Sequence, residues 1–387
     1  MTTSHRKEAA SNRTSRITPF LVMDVLEKAD MMERAGIDVI HLEVGEPDFD
    51  IPECVKAAVK KALDDGRTYY THSLGDIRLR EAICEHYHGR YGVSLEPDRV
   101  MVTSGTSPAM MLVFAALLDP GDEVIISDPH YACYPNFITF AGGTPIMVPV
   151  SESEGFQLDP ADVRKSISKK TKAIFINSPS NPTGTLLSEE RMRAIARLGP
   201  YVISDEVYHG LVYEGMEHSI LEFTDNAFVL NGFSKLYAMT GLRLGYLIVP
   251  EPFVRTLQIL HQNFMISANS VVQFAGIAAL REAGDDIKRM RAVYNERRIY
   301  MVKRLRELGF GITVEPTGAF YIFVNAGHIS GDSYGLAFDI LEKAHVGVAP
   351  GIDFGKNGEG YLRFSYANSM ENITEGLDRL ERYLERI

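Results

Sequence analysis

This sequence predicts an α/β fold: a large domain with a mostly parallel sheet flanked by helices, and a smaller α/β domain packed against it. Three observations carry the prediction. Short β-branched runs alternate with helical segments from about residue 100 to residue 250, as they do where crossover helices bury both faces of a sheet. Most of those runs end in polar or glycine-rich loops, and in open sheets of this class ligands gather at the carboxyl ends of the strands. The 387 residues exceed what one hydrophobic core usually supports, so a second domain is expected.

Along the chain, residues 1–16 are polar, with His5, Arg6, Lys7 and Glu8, and lack the apolar stretch of a secretory signal. Strands are expected at 100–103, 123–127, 173–177, 201–204, 228–231 and 246–249, where β-branched and aromatic residues cluster between turn formers. Ser107 is a natural N-cap and Pro108 a natural first residue for the apolar helix 109–118. After Asn269 the alternation stops, and 271–280 and the heavily charged 285–307 read as helices. Gly309, Gly311, Pro316 and Gly318 then punctuate short strands at 320–324 and 361–365, and an amphipathic helix at 371–386 closes the chain. The division expected is a large domain at 48–285 and a small one formed by 1–47 with 286–387.

Composition narrows the function. A formal net charge of −11, from 40 basic and 51 acidic residues, argues against a nucleic-acid binder, which needs clustered Lys and Arg. Cys54, Cys84 and Cys133 are scattered without metal-ligand or disulfide spacing, and are expected to be reduced, mostly buried and small, with no metal site. No apolar stretch has the ~18 residues of a membrane span, so a cytoplasmic protein is the simplest expectation.

The chemistry centres on Lys235, in Asn231-Gly-Phe-Ser-Lys-Leu-Tyr-Ala-Met-Thr-Gly-Leu-Arg-Leu-Gly-Tyr246, between two apolar runs. Its amine can condense with an aldehyde once nearby cations and desolvation favour the neutral form. Arg243, across a Thr-Gly turn, can bind a phosphate from the same loop. An aldehyde that also bears a phosphate is pyridoxal phosphate. Ser104-Gly105-Thr106-Ser107-Pro108 follows a strand and opens a helix, where free N–H groups and the positive helix end make an anion site. Taken alone, that loop is equally a good helix cap. Asp205 ends a strand in Ser-Asp-Glu-Val-Tyr-His, and Asn177-Ser-Pro-Ser-Asn-Pro-Thr-Gly184 makes a rigid turn after another. Arg363, in Tyr361-Leu-Arg-Phe-Ser-Tyr-Ala, alternates with apolar residues and can grip a carboxylate through two parallel hydrogen bonds.

From Gly45 to Arg363 these segments resemble, in order, those of the class I aminotransferases, which belong to fold type I among the pyridoxal-phosphate enzymes. The resemblance implies that Lys235 carries the cofactor and shuttles a proton as general acid and base. It implies that Gly105, Thr106, Ser107 and Arg243 hold the phosphate, and that Asp205 keeps the pyridine nitrogen protonated so that the ring accepts electrons. Tyr208 and Asn181 would reach the phenolic oxygen, and Tyr131, in Asp-Pro-His-Tyr-Ala, would stack on the ring. Arg363 would clamp the substrate carboxylate, and Gly45, in Glu43-Val-Gly-Glu-Pro-Asp-Phe, would bring its backbone close to the substrate. Tyr70, in Arg67-Thr-Tyr-Tyr-Thr-His-Ser-Leu-Gly-Asp, resembles a tyrosine that crosses a homodimer interface to the partner's phosphate, with Tyr69 the adjacent alternative. Glu206 and His209 are expected to be structural.

The implied activity is transfer of the amino group of an L-amino acid to a 2-oxo acid in alternating half-reactions. A pyridoxal-phosphate-dependent β-lyase acting on a sulfur amino acid is the alternative on the same scaffold. Two positions depart from the family pattern. Gly232 stands where many relatives carry serine, so a phosphate hydroxyl is missing unless Ser234 supplies it. Ser107 stands where bacterial aspartate aminotransferases often carry a lysine for the side-chain carboxylate, which weakens the case for aspartate and leaves alanine, aromatic or broader donors open.

Overall fold

A computed structural model describes residues 11–386. His5, Arg6, Lys7 and Glu8, read above as part of a polar N-terminal segment, lie outside the described residues. The strands, in chain order, are β1 (Ile40–His41), β2 (Val100–Thr103), β3 (Glu123–Asp128), β4 (Thr144–Pro149), β5 (Thr171–Asn177), β6 (Tyr201–Asp205), β7 (Ala227–Gly232), β8 (Gly245–Ile248), β9 (Tyr321–Asn325), β10 (Val346–Gly347), β11 (Ala349–Pro350) and β12 (Tyr361–Ser365). Seven of them form one sheet in the order β2-β8-β7-β6-β5-β3-β4. Every pairing from β7 to β4 is parallel, while β8 runs antiparallel to both β7 and β2. The sheet is mostly parallel, as the buried apolar runs predicted, because helices cover both faces.

Two details of the sequence reading need correction. β4 was not foreseen, since Pro145 and Pro149 break its pattern. The structure places it at the edge of the sheet, where a missing N–H costs no ladder bond. The helix after β2 runs Thr106–Leu117 with Gly105 as its N-cap, not Ser107, and its cap makes no side-chain hydrogen bond. Ser107 and Pro108 lie in the first turn, where backbone donors have no intrahelical partner and proline is tolerated. Gly105 has φ +96, a conformation that admits glycine at little cost. That geometry leaves the Thr106 and Ser107 N–H groups aimed out of the helix.

The C-terminal part carries a three-stranded antiparallel sheet in the order β11-β12-β9, with Arg363 opposite Phe323. Arg363 does not sit on an exposed strand face. Leu362 to Ser365 are all buried. The N-terminal segment belongs spatially with this part. β1 pairs in parallel with β10, and α1 (Leu21–Arg34) starts under the carboxylate of Asp353, which accepts from the backbone N–H groups of Leu21 at 2.8 Å and Val22 at 3.1 Å. The closing helix, Met370–Leu384, buries Ile373, Leu377 and Leu380. The three cysteines are half-buried, short of the burial expected, and partial burial pushes their thiols up, that of Cys84 to about 11.

Among the described residues no helix is long and apolar enough to cross a membrane. Nor, among them, do three or more His, Cys, Asp or Glu come together in a way that would hold a metal ion.

Candidate active site

The strand ends gather the reactive groups on one edge of the large sheet. Since β8 runs against β7 and β2, its start lies beside their ends, and Arg243 just before β8 meets Gly105 just after β2. A Cβ on Gly105 would stand 2.7 Å from Arg243 Nη2, so only glycine lets this guanidinium close on the helix N-terminus. The Arg243 backbone is itself left-handed, at φ 55, and its Nη1 donates to the Thr240 carbonyl at 2.9 Å. Two N–H groups at a helix end and one guanidinium make a phosphate-sized anion site.

Gly232 also has a steric reason. A Cβ there would come within 3.1 Å of Gly245 Cα and of the Leu244 carbonyl, so a serine at this β7–β8 crossing would require the facing backbone to give by a few tenths of an ångström. Ser234 lines the cavity instead.

The cavity in front of this edge has a volume of about 390 Å³. Gly45, Thr106, Ser107, Tyr131, Asn181, Asp205, Tyr208, Ser234, Lys235, Arg243 and Arg363, the residues singled out from sequence apart from Tyr70 and Gly105, all line it. Gly105 touches it only through Arg243. Tyr70 does not reach it: Tyr69 and Tyr70 project from the surface of the single chain, 83% and 81% exposed. Glu206 and His209 turn away from the cavity. Glu206 accepts from Tyr87, Ser204, Ser219 and the Ile220 N–H, and His209 bonds the Tyr91 hydroxyl at 2.6 Å.

Lys235 Nζ donates to the Gly45 carbonyl at 2.6 Å, and burial lowers its pKa to about 8, with Arg363 and Arg243 adding to the effect and Glu46 opposing it. About a tenth of the amine is then neutral at pH 7, against a small fraction of a percent for an ordinary lysine, and the neutral form is what imine formation requires. Asp205 accepts from the Tyr134 hydroxyl at 2.8 Å and the Val207 N–H at 3.2 Å. Burial raises its pKa to about 6, against those hydrogen bonds, so it remains mostly ionised at neutral pH. Asn177 ties the strand ends together, donating to the Asp205 carbonyl at 2.9 Å and accepting from the Asn181 N–H at 2.8 Å.

Arg363 reaches across from β12. Its Nη1 donates to Asn181 Oδ1 at 2.9 Å and its Nη2 to the Glu43 carbonyl at 2.6 Å, while its Nε–H has no partner among the described residues. The guanidinium lies over the Tyr321 ring, 4.3 Å from the centroid, with Phe354 at 4.8 Å. A buried guanidinium with an orphaned donor is able to receive a carboxylate.

Sequence reasoning missed several neighbours. Tyr321, whose hydroxyl bonds that of Tyr208 at 2.8 Å, sat in a predicted apolar strand with no local sign of chemistry. Tyr134 follows Tyr131 by one helical turn, a spacing that could have flagged it. Glu46, which accepts from the Thr240 hydroxyl, and the apolar face of α1 gave no local signal, since only the fold brings them to the cavity.

The sequence profile of the family described as aminotransferase class I and II matches residues 37–380. The chain is 41% identical to an aspartate aminotransferase of Pyrococcus horikoshii, across 98% of each protein. It is 40% identical to the (5-formylfuran-3-yl)methyl phosphate transaminase of Methanocaldococcus jannaschii, across 97% of this chain and all of that protein. Among solved structures, the aspartate aminotransferase from Thermus thermophilus with maleate superposes with a TM-score of 0.93 at 37% identity, over 96% of this chain and 99% of that one.

Proposed function

Because this chain belongs to the class I and II aminotransferase family and is a transaminase, we propose that it moves the amino group of an L-amino acid to a 2-oxo acid on pyridoxal 5′-phosphate held by Lys235. The observation that carries the cofactor assignment is the convergence, in one cavity, of a lysine with a lowered pKa, a helix-end anion site with Arg243, and a buried carboxylate on Asp205. Nothing in that donor set conflicts with the cofactor. The β-lyase alternative is not favoured, since the relatives compared above are named as transaminases.

When bound, pyridoxal 5′-phosphate supplies an aldehyde for Lys235 and an electron sink for the substrate Cα. The chain's own residues do the rest. Thr106, Ser107, Ser234 and Arg243 hold the phosphate, assisted by Gly105, whose missing side chain admits the arginine. Asp205, fixed by Tyr134, keeps a negative charge at the ring nitrogen. Tyr208 and Asn181 donate to the phenolic oxygen, and Tyr131 covers the ring face. Arg363 fixes the substrate carboxylate, Gly45 brings its backbone beside the substrate, and the Lys235 amine would carry a proton between the substrate Cα and C4′ of the cofactor. The half-reactions alternate, so donor product leaves before the acceptor binds.

The same reading takes the protein as a cytoplasmic homodimer in which Tyr70 enters the partner's site. The exposed Tyr69–Tyr70 pair, outside its own cavity, supports a covering second chain. Residues 48–285 form the cofactor-binding domain, with 1–47 and 286–387 as the small domain.

Borohydride reduction followed by peptide mapping tests the assignment. A single pyridoxyl label on Lys235, lost in Lys235→Ala together with turnover, is the expected result; a label elsewhere overturns it.

A further inference from the structure

We infer that the amino donor this site selects is monocarboxylic, with an apolar or aromatic side chain, and that α1 is the wall that selects it. The inference rests on the transaminase reading and deepens it. Among the described residues, the cations lining the cavity are Lys235, Arg243 and Arg363. Each has a task in that reading: Lys235 holds the cofactor, Arg243 closes on the phosphate site, and Arg363 faces the substrate's α-carboxylate. No described cation is left for a second carboxylate.

The remaining wall is hostile to one. Phe20, Val22, Met23 and Leu26 present an apolar face from the start of α1, continued by Met110 and Tyr131. Phe20 meets Tyr131 edge-to-face at 5.9 Å and 89°. The acidic side chain of Glu46 also lines the cavity. A carboxylate placed here would lose its water, gain no cation and face a like charge, whereas an aromatic ring would bury its area against six apolar or aromatic side chains.

This wall is held in place. The cap residue of α1, Phe20, offers no side-chain hydrogen bond to the helix, and Asp353 supplies the missing acceptor with both oxygens. Its neighbour Phe354 packs on the Arg363 guanidinium, and Val22 joins Phe323, Ala349 and Phe354 in one small core. Upstream, Thr18 shares three hydrogen bonds with Asn136, donating its N–H at 3.0 Å and its hydroxyl at 3.1 Å and accepting at its carbonyl at 3.1 Å. The segment is thus pinned on both sides, and the loop that seats it also backs the carboxylate clamp.

The test uses the holoenzyme and the donor half-reaction alone, read from the cofactor's absorbance in single turnovers, so that no acceptor complicates the ranking. L-Phenylalanine is expected to react with at least a hundredfold higher second-order rate constant than L-aspartate. In calorimetry, 3-phenylpropionate is expected to bind at least tenfold more tightly than succinate. In Leu26→Lys, the aspartate-to-phenylalanine ratio is expected to rise at least tenfold. Preference for aspartate, or tighter succinate, overturns the inference while leaving the transaminase reading intact. An unchanged ratio in Leu26→Lys, with the variant folded and its cofactor bound, removes α1 from the side-chain subsite. A holoenzyme that reacts with no amino acid overturns both readings.

Discussion

Gly45→Ala isolates the fit between the substrate side of the cavity and the carboxylate clamp. Gly45 is not among the residues with positive φ, so alanine is acceptable to its backbone and the effect is steric. The added methyl would overlap the Tyr321 hydroxyl and stand 3.1 Å from Cζ and 3.3 Å from Cε1. Non-bonded carbons settle at about 3.5–4.0 Å, so the hydroxyl must retreat by roughly 1 Å and the ring by a few tenths. The ring cannot retreat alone, because its hydroxyl bonds Tyr208 and its face carries the Arg363 guanidinium. A misplacement of roughly 1 Å in a positioning group costs on the order of a hundredfold in rate. The assay is the donor half-reaction in single turnovers, with circular dichroism to confirm folding. Tyr321→Phe alone removes one hydrogen bond, a loss of about tenfold at most. Combined with Gly45→Ala it also removes the overlap, so the double variant should recover most of what the glycine substitution lost. If the two losses simply multiply, or if Gly45→Ala is as fast as the parent, the clash is not what makes this glycine necessary.

Other outcomes follow from the same geometry. With the Lys235 pKa at about 8, covalent capture of pyridoxal 5′-phosphate by the apoprotein should quicken about fivefold from pH 7 to pH 8 and level off above, following the neutral amine; stopped-flow absorbance would show it, and a flat profile would contradict the assignment. Asp205→Asn should leave the Lys235 label intact but slow the donor half-reaction by about a hundredfold or more, since the charge at the ring nitrogen goes; near-parental turnover would remove Asp205 from that role. Mixing Lys235→Ala with Tyr70→Ala chains should regenerate about a quarter of the parental activity, because random pairing gives half mixed dimers with one intact site each; no recovery after verified subunit exchange argues against a shared site. Asp353→Ala should destabilise the protein by about 1 kcal/mol in urea unfolding, the usual cost of losing a helix cap, and raise the donor KM; an unchanged midpoint would show that the cap is dispensable.

Legibility in the sequence tracked the range of the interaction. The strand end at Asp205 and the turn that carries Asn181 were legible as positions because the cause is local, an apolar run and then a polar turn, while the roles expected of them came from the family resemblance. β4 stayed hidden because its two prolines obey an edge rule that only the assembled sheet reveals. The helix start moved from Ser107 to Gly105 because a left-handed glycine, packed against an arginine far along the chain, outcompeted a side-chain cap. Tyr321 and the α1 wall were illegible for a different reason. Each is an ordinary apolar pattern whose meaning comes from facing a cavity built by other segments. Tyr70, in the dimer we propose, would meet its target only on a second chain, so the fold of one chain does not bring the two together.

The pinned start of α1 has a consequence for how such an enzyme diversifies. The candidate bond-making groups hang from the rim of the large sheet, while the donor-selecting wall we infer sits on a strap fastened by Asn136 on one side and Asp353 on the other. Replacing residues on the strap's inner face alters which side chain is welcome without disturbing the lysine, the phosphate cradle or the ring's acid partner. New substrates are therefore accessible through a handful of changes between residues 18 and 26, with the costly chemistry inherited unchanged.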